Sequence, residues 1–202
     1  GMSGLIWPDA EYHLASAARH LCIPYTLSTV ATVAPEDIEN FIGPNAWFQM
    51  YRPHDEKIRQ DMLARAQASG FKTLVLTVDV PVASRRERQI RSGLTNPPKL
   101  TPRLLAQVAM RPSWAIGIAR RGMPHMRMLD AYINKSTENL PVNAHIGYLL
   151  RTSPDWEYVK SLRDAWSGHL VVKGILCSKD AKLLQETGID AIWVSNHAGR
   201  QF

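Results

Sequence analysis

The 202-residue chain has the composition of a globular protein, with 45% hydrophobic and 21% charged residues, which excludes a disordered class. Its net charge of +6 permits attraction to anionic substrates, nucleic acid or acidic lipid without selecting among them. The arginine-rich stretch 85–91 has no interleaved aromatic residues, so no nucleic-acid partner is expected. Cys22 and Cys177 lie far apart without C-x-x-C spacing, which predicts reduced, buried thiols and neither a metal site nor a disulfide framework.

Segments typical of strands alternate with segments typical of helices along the first 80 residues. Apolar runs that end in polar residues predict strands over 23–28, 46–51 and 73–79. Helical spacing and terminal signals predict helices over 9–20, 35–41 and 55–69. In the first of these helices, Leu14 and Leu21 fall near one face together with Ala17 and Ala18, and this face is expected to be apolar and buried.

A long excursion, at about 83–153, interrupts this alternation. It contains three prolines between 94 and 102 and two predicted short helices, over 104–110 and 114–120. An ordinary connection between a strand and a helix is much shorter. The alternation then resumes with a helix over 154–166, a strand over 169–173, a helix capped by Ser178, and a last strand that opens at Ala191.

Repeated strand-then-helix units with buried strands predict parallel strands joined by right-handed crossovers. A doubly wound sheet and a (β/α)8 barrel both fit this pattern. The doubly wound alternative is weakened because no G-x-G-x-x-G motif opens a helix. The barrel is favoured because several strands end in polar residues, and the carboxyl ends of barrel strands converge on one site.

The last predicted strand breaks abruptly into polar residues, Ser195-Asn196-His197-Ala198-Gly199-Arg200-Gln201. His197 can accept a proton near neutral pH, and Arg200 can hold a carboxylate through two parallel hydrogen bonds. A base beside an anion-binding arginine suggests an acid substrate. The alternative is a hydrogen-bonded histidine with a structural role.

This stretch resembles the S-N-H-G-G-R-Q motif of the FMN-dependent α-hydroxy acid dehydrogenases and oxidases, with Ala198 in place of the first glycine. Such an alanine would strain the turn if the position needs a positive φ. Four more motifs match in order and spacing. Leu27-Ser28-Thr29 resembles L-S-S/T. Gln49-Met50-Tyr51 resembles Q-L-Y, Thr77-Val78-Asp79-Val80-Pro81 resembles T-V-D-x-P, and Val172-Lys173-Gly174-Ile175 resembles V-K-G-V/I.

The stretch 94–151 looks most like the lactate and mandelate dehydrogenase branch of that family. The resemblance therefore implies one domain over 1–202, an incomplete (β/α)8 TIM barrel of the FMN-linked oxidoreductase type. It would run from about the end of strand one to strand six, with the excursion after strand four. The chain is expected to be part of a longer protein.

The implied activity is FMN-dependent oxidation of an L-2-hydroxy acid, lactate-like or mandelate-like, to the 2-oxo acid. By this resemblance, His197 removes the hydroxyl proton while a hydride equivalent passes to flavin N5, and Asp79 pairs with the imidazolium that forms. Arg200 and Tyr51 would bind the substrate carboxylate.

The resemblance also implies which residues hold FMN. Lys173 would neutralise the charge that builds at the N1–O2 edge of the reduced flavin. The other expected contacts to the cofactor are made by Gly1, Met2, Ser28, Gln49, Thr77 and Ser195.

Several alternatives stay open. The electron acceptor could be a quinone, a cytochrome or, in an oxidase, oxygen; a noncatalytic fragment and an FMN-barrel isomerase are alternatives in function. The isomerase is disfavoured because Asp79, His197 and Arg200 occur together. A cytoplasmic location is expected, and the basic and apolar stretch 104–123 predicts peripheral contact with the inner face of the cytoplasmic membrane. By resemblance, the full-length protein would be a homotetramer.

Overall fold

The computed structural model describes residues 1–80, 101–132 and 153–199. Its strands are β1 (Tyr25–Ser28), β2 (Ala46–Met50), β3 (Thr73–Thr77), β4 (His169–Ile175) and β5 (Ala191–Val194). Its helices are α1 (Ser3–Ile6), α2 (Ala10–His20), α3 (Pro35–Ile38), α4 (Glu56–Ala68), α5 (Pro102–Ala109), α6 (Pro112–Arg121), α7 (Arg127–Asp130), α8 (Trp156–Ala165) and α9 (Ser178–Glu186). A 3-10 turn follows at His197–Gly199.

The five strands form one parallel sheet in the order β1-β2-β3-β4-β5. A doubly wound sheet reverses its strand order at a switch point. In the described part of the chain the sheet order follows the sequence without reversal, as in a (β/α)8 barrel. The barrel prediction is confirmed, and five strands is the number expected for strands two to six.

The two faces of the sheet are buried in different ways. On the outer face, Phe48, Leu74 and Leu170 are fully buried in the main core with the helices. On the inner face, the rings of Trp47 and Trp193 lie 6.4 Å apart although β3 and β4 separate their strands. In a flat sheet those strands would be about 14 Å apart. The sheet therefore curves towards its inner face, as barrel closure requires.

The predicted buried face of α2 is wrong. Of its four members only Ala18 is buried, while Leu14 and Leu21 are 53% and 64% exposed and Ala17 is exposed as well. The residues that α2 buries are Glu11, Ala15 and Ala18. Two small side chains let the helix approach its neighbours closely. One oxygen of the buried Glu11 carboxylate accepts a hydrogen bond from the Thr32 backbone N–H, in the segment after β1, and the other oxygen has no hydrogen-bond partner among the described residues.

Both cysteines are free thiols, but the prediction of their burial is wrong because both are exposed. Cys22 lies just after α2, and Cys177 occupies the cap position before α9, so each lies in a connection and not in the core. Within the described ranges, no three His, Cys, Asp or Glu side chains form a group that could hold a metal ion.

The excursion contains two amphipathic helices, α5 and α6, at the periphery of the fold. The indole Nε1 of Trp114 in α6 donates a hydrogen bond to the Leu5 carbonyl oxygen at 3.1 Å, which fastens α6 to α1. No residue of α5 is buried. The large apolar side chains exposed in this region are Leu105, Met110, Ile116 and Met123. None of the described helices is long and apolar enough to cross a membrane.

Asp190 fixes the beginning of β4. Its Oδ2 accepts hydrogen bonds from the Leu170 backbone N–H and from Arg163 Nη1, both at 2.8 Å. The Leu170 hydrogen bond is the largest cause of a pKa of Asp190 below its ordinary value. Because the folded pKa is lowered, this stabilisation is complete above the unfolded pKa and is lost as the pH falls through the folded pKa.

The Asp190 side chain is 41% exposed, so solvent screens its charge. We therefore expect Asp190→Asn to lower the free energy of unfolding by only about 0.5 kcal/mol at neutral pH, and by progressively less in acid. Urea unfolding of the variant and the parent protein, at neutral and at acidic pH, measures the difference in their free energies of unfolding. Asp164→Asn, at an exposed position on α8, serves as the control. If the free energies of unfolding of Asp190→Asn and the parent protein differed by the same amount at both pH values, the stabilising role of the Asp190 charge would be contradicted.

Candidate active site

Three ionisable side chains meet at the carboxyl ends of β3, β4 and β5. His197 Nδ1 lies 2.7 Å from Asp79 Oδ1, and Lys173 Nζ lies 3.2 Å from Asp79 Oδ2. The side chains of Asp79, Lys173 and His197 are only 7%, 16% and 22% exposed. Their charges therefore interact more strongly than they would in water.

The hydrogen-bond partners of His197 determine which ring nitrogen can act as a base. Both Asp79 Oδ1, at 2.7 Å, and Lys173 Nζ, at 3.2 Å, lie next to the same Nδ1 atom. The carboxylate contact is shorter, and a carboxylate only accepts hydrogen bonds, so Nδ1 carries its hydrogen towards Asp79. Nε2 then has the free lone pair and is the atom that can take a proton.

Gly174 brings Asp79 against the backbone of β4. It has φ +112°, and the register between β4 and β5 shifts at this point. A Cβ atom at this position would lie 2.5 Å from the Asp79 Cβ and 2.8 Å from the Asp79 backbone nitrogen. Only glycine fits, and sequence reasoning missed this role. The available signal was a glycine that directly follows a lysine at the end of a strand.

Ser195 hydrogen-bonds the Asp79 carboxylate and the backbone of His197. Its Oγ donates a hydrogen bond to Asp79 Oδ2 at 3.2 Å and accepts one from the His197 backbone N–H at 3.0 Å. The sequence predicted that Ser195 contacts the cofactor. It did not reveal that Ser195 also links two other site residues, Asp79 and His197.

A row of polar side chains continues from this cluster across the inner face. Ser28 Oγ donates to Gln49 Oε1 at 2.7 Å, and Gln49 Nε2 donates to Thr77 Oγ1 at 2.8 Å. Thr77 is in register with Lys173 on the next strand. Among the described residues, this arrangement leaves the second amide hydrogen of Gln49 and the hydroxyl hydrogen of Thr77 for another acceptor. Donors beside an ammonium group suit the oxygen-rich edge of a flavin, so the residues fit FMN.

The structure gives less information on the other predicted site residues. Tyr51 lies one residue beyond β2 and is half-buried. Gly1 is exposed and Met2 precedes α1 in the cap position. Arg200 lies outside the described residues, so its role stays a prediction.

The turn that carries the imidazole has two consecutive non-glycine residues in the left-handed region. His197 has φ 57° and Ala198 has φ 56°. Position 198 therefore does take a positive φ, where an L residue other than glycine costs about 1 kcal/mol. The expected strain from Ala198 is present.

We expect Ala198→Gly to raise the free energy of unfolding by about 0.5 kcal/mol, because the relief of strain exceeds the extra entropy of glycine in the unfolded chain. Ala181→Gly, inside α9, should lower it by about 1 kcal/mol. Denaturant titrations of the two variants and of the parent protein measure these changes in the free energy of unfolding. A decrease for both variants would show that position 198 is not strained.

Comparisons with known proteins agree with this arrangement. The sequence model of the FMN-dependent dehydrogenase family matches residues 1–202. The chain is 38% identical over 202 residues to an L-lactate dehydrogenase of Yersinia pestis (strain Pestoides F), which covers 100% of this chain and 53% of that protein.

Solved structures show the same fold. The crystal structure of the monotopic membrane protein (S)-mandelate dehydrogenase superimposes with a TM-score of 0.90 at 34% identity, covering 100% of this chain and 53% of that one. A mandelate oxidase superimposes with a TM-score of 0.74 at 31% identity, covering 100% of this chain and 48% of that one. The chain thus spans about half the length of these relatives. Since the family match extends over every residue and the polar cluster lies where the barrel strands end, the protein belongs to the FMN-dependent dehydrogenase family.

Proposed function

We propose that the protein oxidises an L-2-hydroxy acid to the 2-oxo acid with FMN as its cofactor. The observation that carries this proposal is the His197–Asp79 pair beside Lys173, next to a row of polar side chains that fits a flavin. The lactate and mandelate dehydrogenases among the relatives support the class of substrate.

His197 acts as the general base in this proposal. Its Nε2 takes the proton of the substrate hydroxyl group, and the ring becomes an imidazolium. Asp79 stabilises that cation through the 2.7 Å hydrogen bond from Nδ1. The cofactor, when bound, supplies the acceptor for the two electrons that leave C2 as a hydride equivalent.

The ammonium group of Lys173 disfavours the positive charge of the His197 imidazolium and stabilises negative charge in its surroundings. We assign its ammonium group to the N1–O2 edge of the flavin, where reduction builds negative charge. Ser28, Gln49 and Thr77 would donate and accept hydrogen bonds along the same ring. The backbone at Gly1 and Met2 would approach the cofactor from the segment that precedes α1.

The substrate carboxylate is assigned to Arg200 and to the Tyr51 hydroxyl group. An arginine three residues after the base can hold the carboxylate while C2 and its hydroxyl group lie near Nε2. This pairing would place the acid in the orientation that proton removal requires.

Turnover with an artificial electron-accepting dye tests the proposal. The flavin-loaded protein should convert L-lactate or (S)-mandelate to the 2-oxo acid, with one equivalent of a two-electron dye reduced for each oxo acid formed. Bound FMN without oxo acid formation from either substrate would overturn the proposed activity.

We also propose that α5 and α6 dock peripherally on the inner face of the cytoplasmic membrane. The support is the unburied apolar surface of α5 and its arginine neighbours, including Arg103 and Arg111. Apolar side chains flanked by arginines suit the boundary between anionic headgroups and acyl chains. One similar protein, the (S)-mandelate dehydrogenase, is a monotopic membrane protein. A membrane position would suit a quinone as the final electron acceptor.

Leu105→Glu is expected to weaken binding to vesicles with anionic lipids by about tenfold, because it places a charge on the docking face. Co-sedimentation with the vesicles measures the binding. Leu14→Glu is the matched control, since Leu14 is 53% exposed on α2 and Leu105 is 56% exposed on α5. Equal vesicle binding by the parent protein and both variants would contradict this docking face.

A further inference from the structure

We propose that Ser195 is a positioning residue for the general base, which it orients through Asp79 and through the backbone of His197. The proposal deepens the proposed function, on which it rests, and assigns to Ser195 a role beyond contact with the cofactor. Three observations carry it: the strain of the turn, the two hydrogen bonds of one hydroxyl group, and a competing contact to the imidazole.

The turn that presents His197 is unfavourable by itself. Both His197 and Ala198 have positive φ values, and each costs about 1 kcal/mol relative to an ordinary conformation. Such a conformation persists only where the surroundings hold it. The Ser195 Oγ atom accepts the hydrogen bond of the His197 N–H at 3.0 Å and so fixes the backbone at the first strained residue.

The same hydroxyl group also fixes the carboxylate that orients the ring. Ser195 Oγ has one hydrogen, and it is directed to Asp79 Oδ2 at 3.2 Å, while Asp79 Oδ1 accepts from His197 Nδ1 at 2.7 Å. A closed loop of hydrogen bonds thus runs from the His197 backbone through Ser195 and Asp79 to the His197 ring. The loop holds the ring and its backbone in one mutual orientation.

Lys173 provides a competing partner for the ring. Its Nζ lies 3.2 Å from the same Nδ1 atom and can donate a hydrogen bond to it. If Lys173 were the partner of Nδ1, the hydrogen of the neutral ring would reside on Nε2, which could then no longer take a proton. Asp79 prevents this only while its carboxylate is held against Nδ1. Lys173 Nζ also contacts this carboxylate, at 3.2 Å from Oδ2, but it does so from β4. The Ser195 hydroxyl group is the contact that ties the carboxylate to the turn.

The 15N resonances of the His197 ring test the proposal directly, because they distinguish hydrogen on Nδ1 from hydrogen on Nε2. In the flavin-loaded protein, Ser195→Ala should shift a substantial part of the neutral population to the Nε2–H form and weaken the low-field signal of the Nδ1 hydrogen. Ser195→Thr, which keeps the hydroxyl group, should retain the Nδ1–H form. Thr187→Ala is the control, since it removes a hydroxyl group that bonds the Leu184 carbonyl oxygen at the end of α9, and it should also retain the Nδ1–H form.

The alanine at position 198 allows a second, independent test. If Ser195 offsets the strain of the turn, Ala198→Gly should restore part of the Nδ1–H population that Ser195→Ala loses. This double variant also provides a stable background should Ser195→Ala alone fold poorly. An unchanged His197 tautomer in Ser195→Ala, or in the double variant compared with Ala198→Gly, would overturn the proposal.

These readouts separate this proposal from simpler roles of Ser195. A residue that only contacts the flavin would weaken FMN binding when replaced by alanine and would leave the His197 tautomer unchanged. The tautomer is measured without turnover. A failure of the proposed hydroxy acid oxidation would therefore leave this measurement intact, and each hypothesis can fail separately.

Discussion

Replacement of His197 by glutamine is expected to lower the rate of flavin reduction by a hydroxy acid by about 10³-fold, the usual contribution of a general base. Glutamine fills a similar volume but cannot take the proton at the position of Nε2. The glutamine side chain also cannot become the cation that Asp79 stabilises through the 2.7 Å hydrogen bond of His197 Nδ1. Rapid mixing of substrate with the flavin-loaded variant under anaerobic conditions measures the rate.

His169 provides a matched control for this substitution. It too contacts an aspartate, with its Nδ1 3.4 Å from Asp190 Oδ1, but its side chain is 73% exposed and lies at the opposite end of the sheet. His169→Gln should leave the rate of flavin reduction unchanged. FMN affinity should be similar in both variants. A rate that falls equally in the two variants, or in neither, would contradict the role of His197 as the base.

Gly174→Ala is expected to displace Asp79 and to lower the rate of flavin reduction by about 10²-fold, the usual effect of a small misplacement at a reacting centre. The added Cβ would overlap with the Asp79 Cβ at 2.5 Å, and it is close to backbone atoms that cannot simply rotate away. The φ of +112° adds conformational strain. We expect a loss of about 3 kcal/mol in the free energy of unfolding.

Gly70→Ala separates backbone strain from steric overlap. Gly70 has φ +86°, but a Cβ there would have no atom within 4 Å. This variant should lose only about 1 kcal/mol of stability and keep the full rate of flavin reduction. Denaturant unfolding and anaerobic reduction of both variants supply the comparison. Similar stability and similar rates for the two alanine variants would show that the contact between Gly174 and Asp79 is unimportant.

The strand ends were the part of this molecule that the sequence predicted best. Gln49, Thr77 and Lys173 each follow an apolar run, and parallel strands in a barrel bring such positions to one edge. This argument needs only the alternation of strands and helices and no knowledge of side-chain contacts. The resemblance to the family then gave each of these residues an expected role. In the structure Lys173 contacts Asp79 and His197, Thr77 is in register with Lys173, and Gln49 donates a hydrogen bond to Thr77.

Contacts that depend on packing between distant segments could not be predicted in the same way. The approach of Gly174 to Asp79 joins residues 95 positions apart, and no local pattern encodes that distance. The second role of Ser195 depends on the path of the turn after β5, which a motif does not describe. The burial of Glu11 instead of Leu14 has a similar cause, since the neighbours of α2 and not its periodicity decide which face is covered.

Anaerobic reduction of bound FMN is the measurement that tests the central claim most directly. FMN is first titrated into the protein, and L-lactate or (S)-mandelate is then added without oxygen while the visible absorbance of the flavin is followed. The proposed function predicts tight FMN binding, bleaching of the flavin by at least one of these acids, and one equivalent of 2-oxo acid for each flavin reduced. A protein that binds FMN but leaves it oxidised in the presence of both acids would contradict the proposed function.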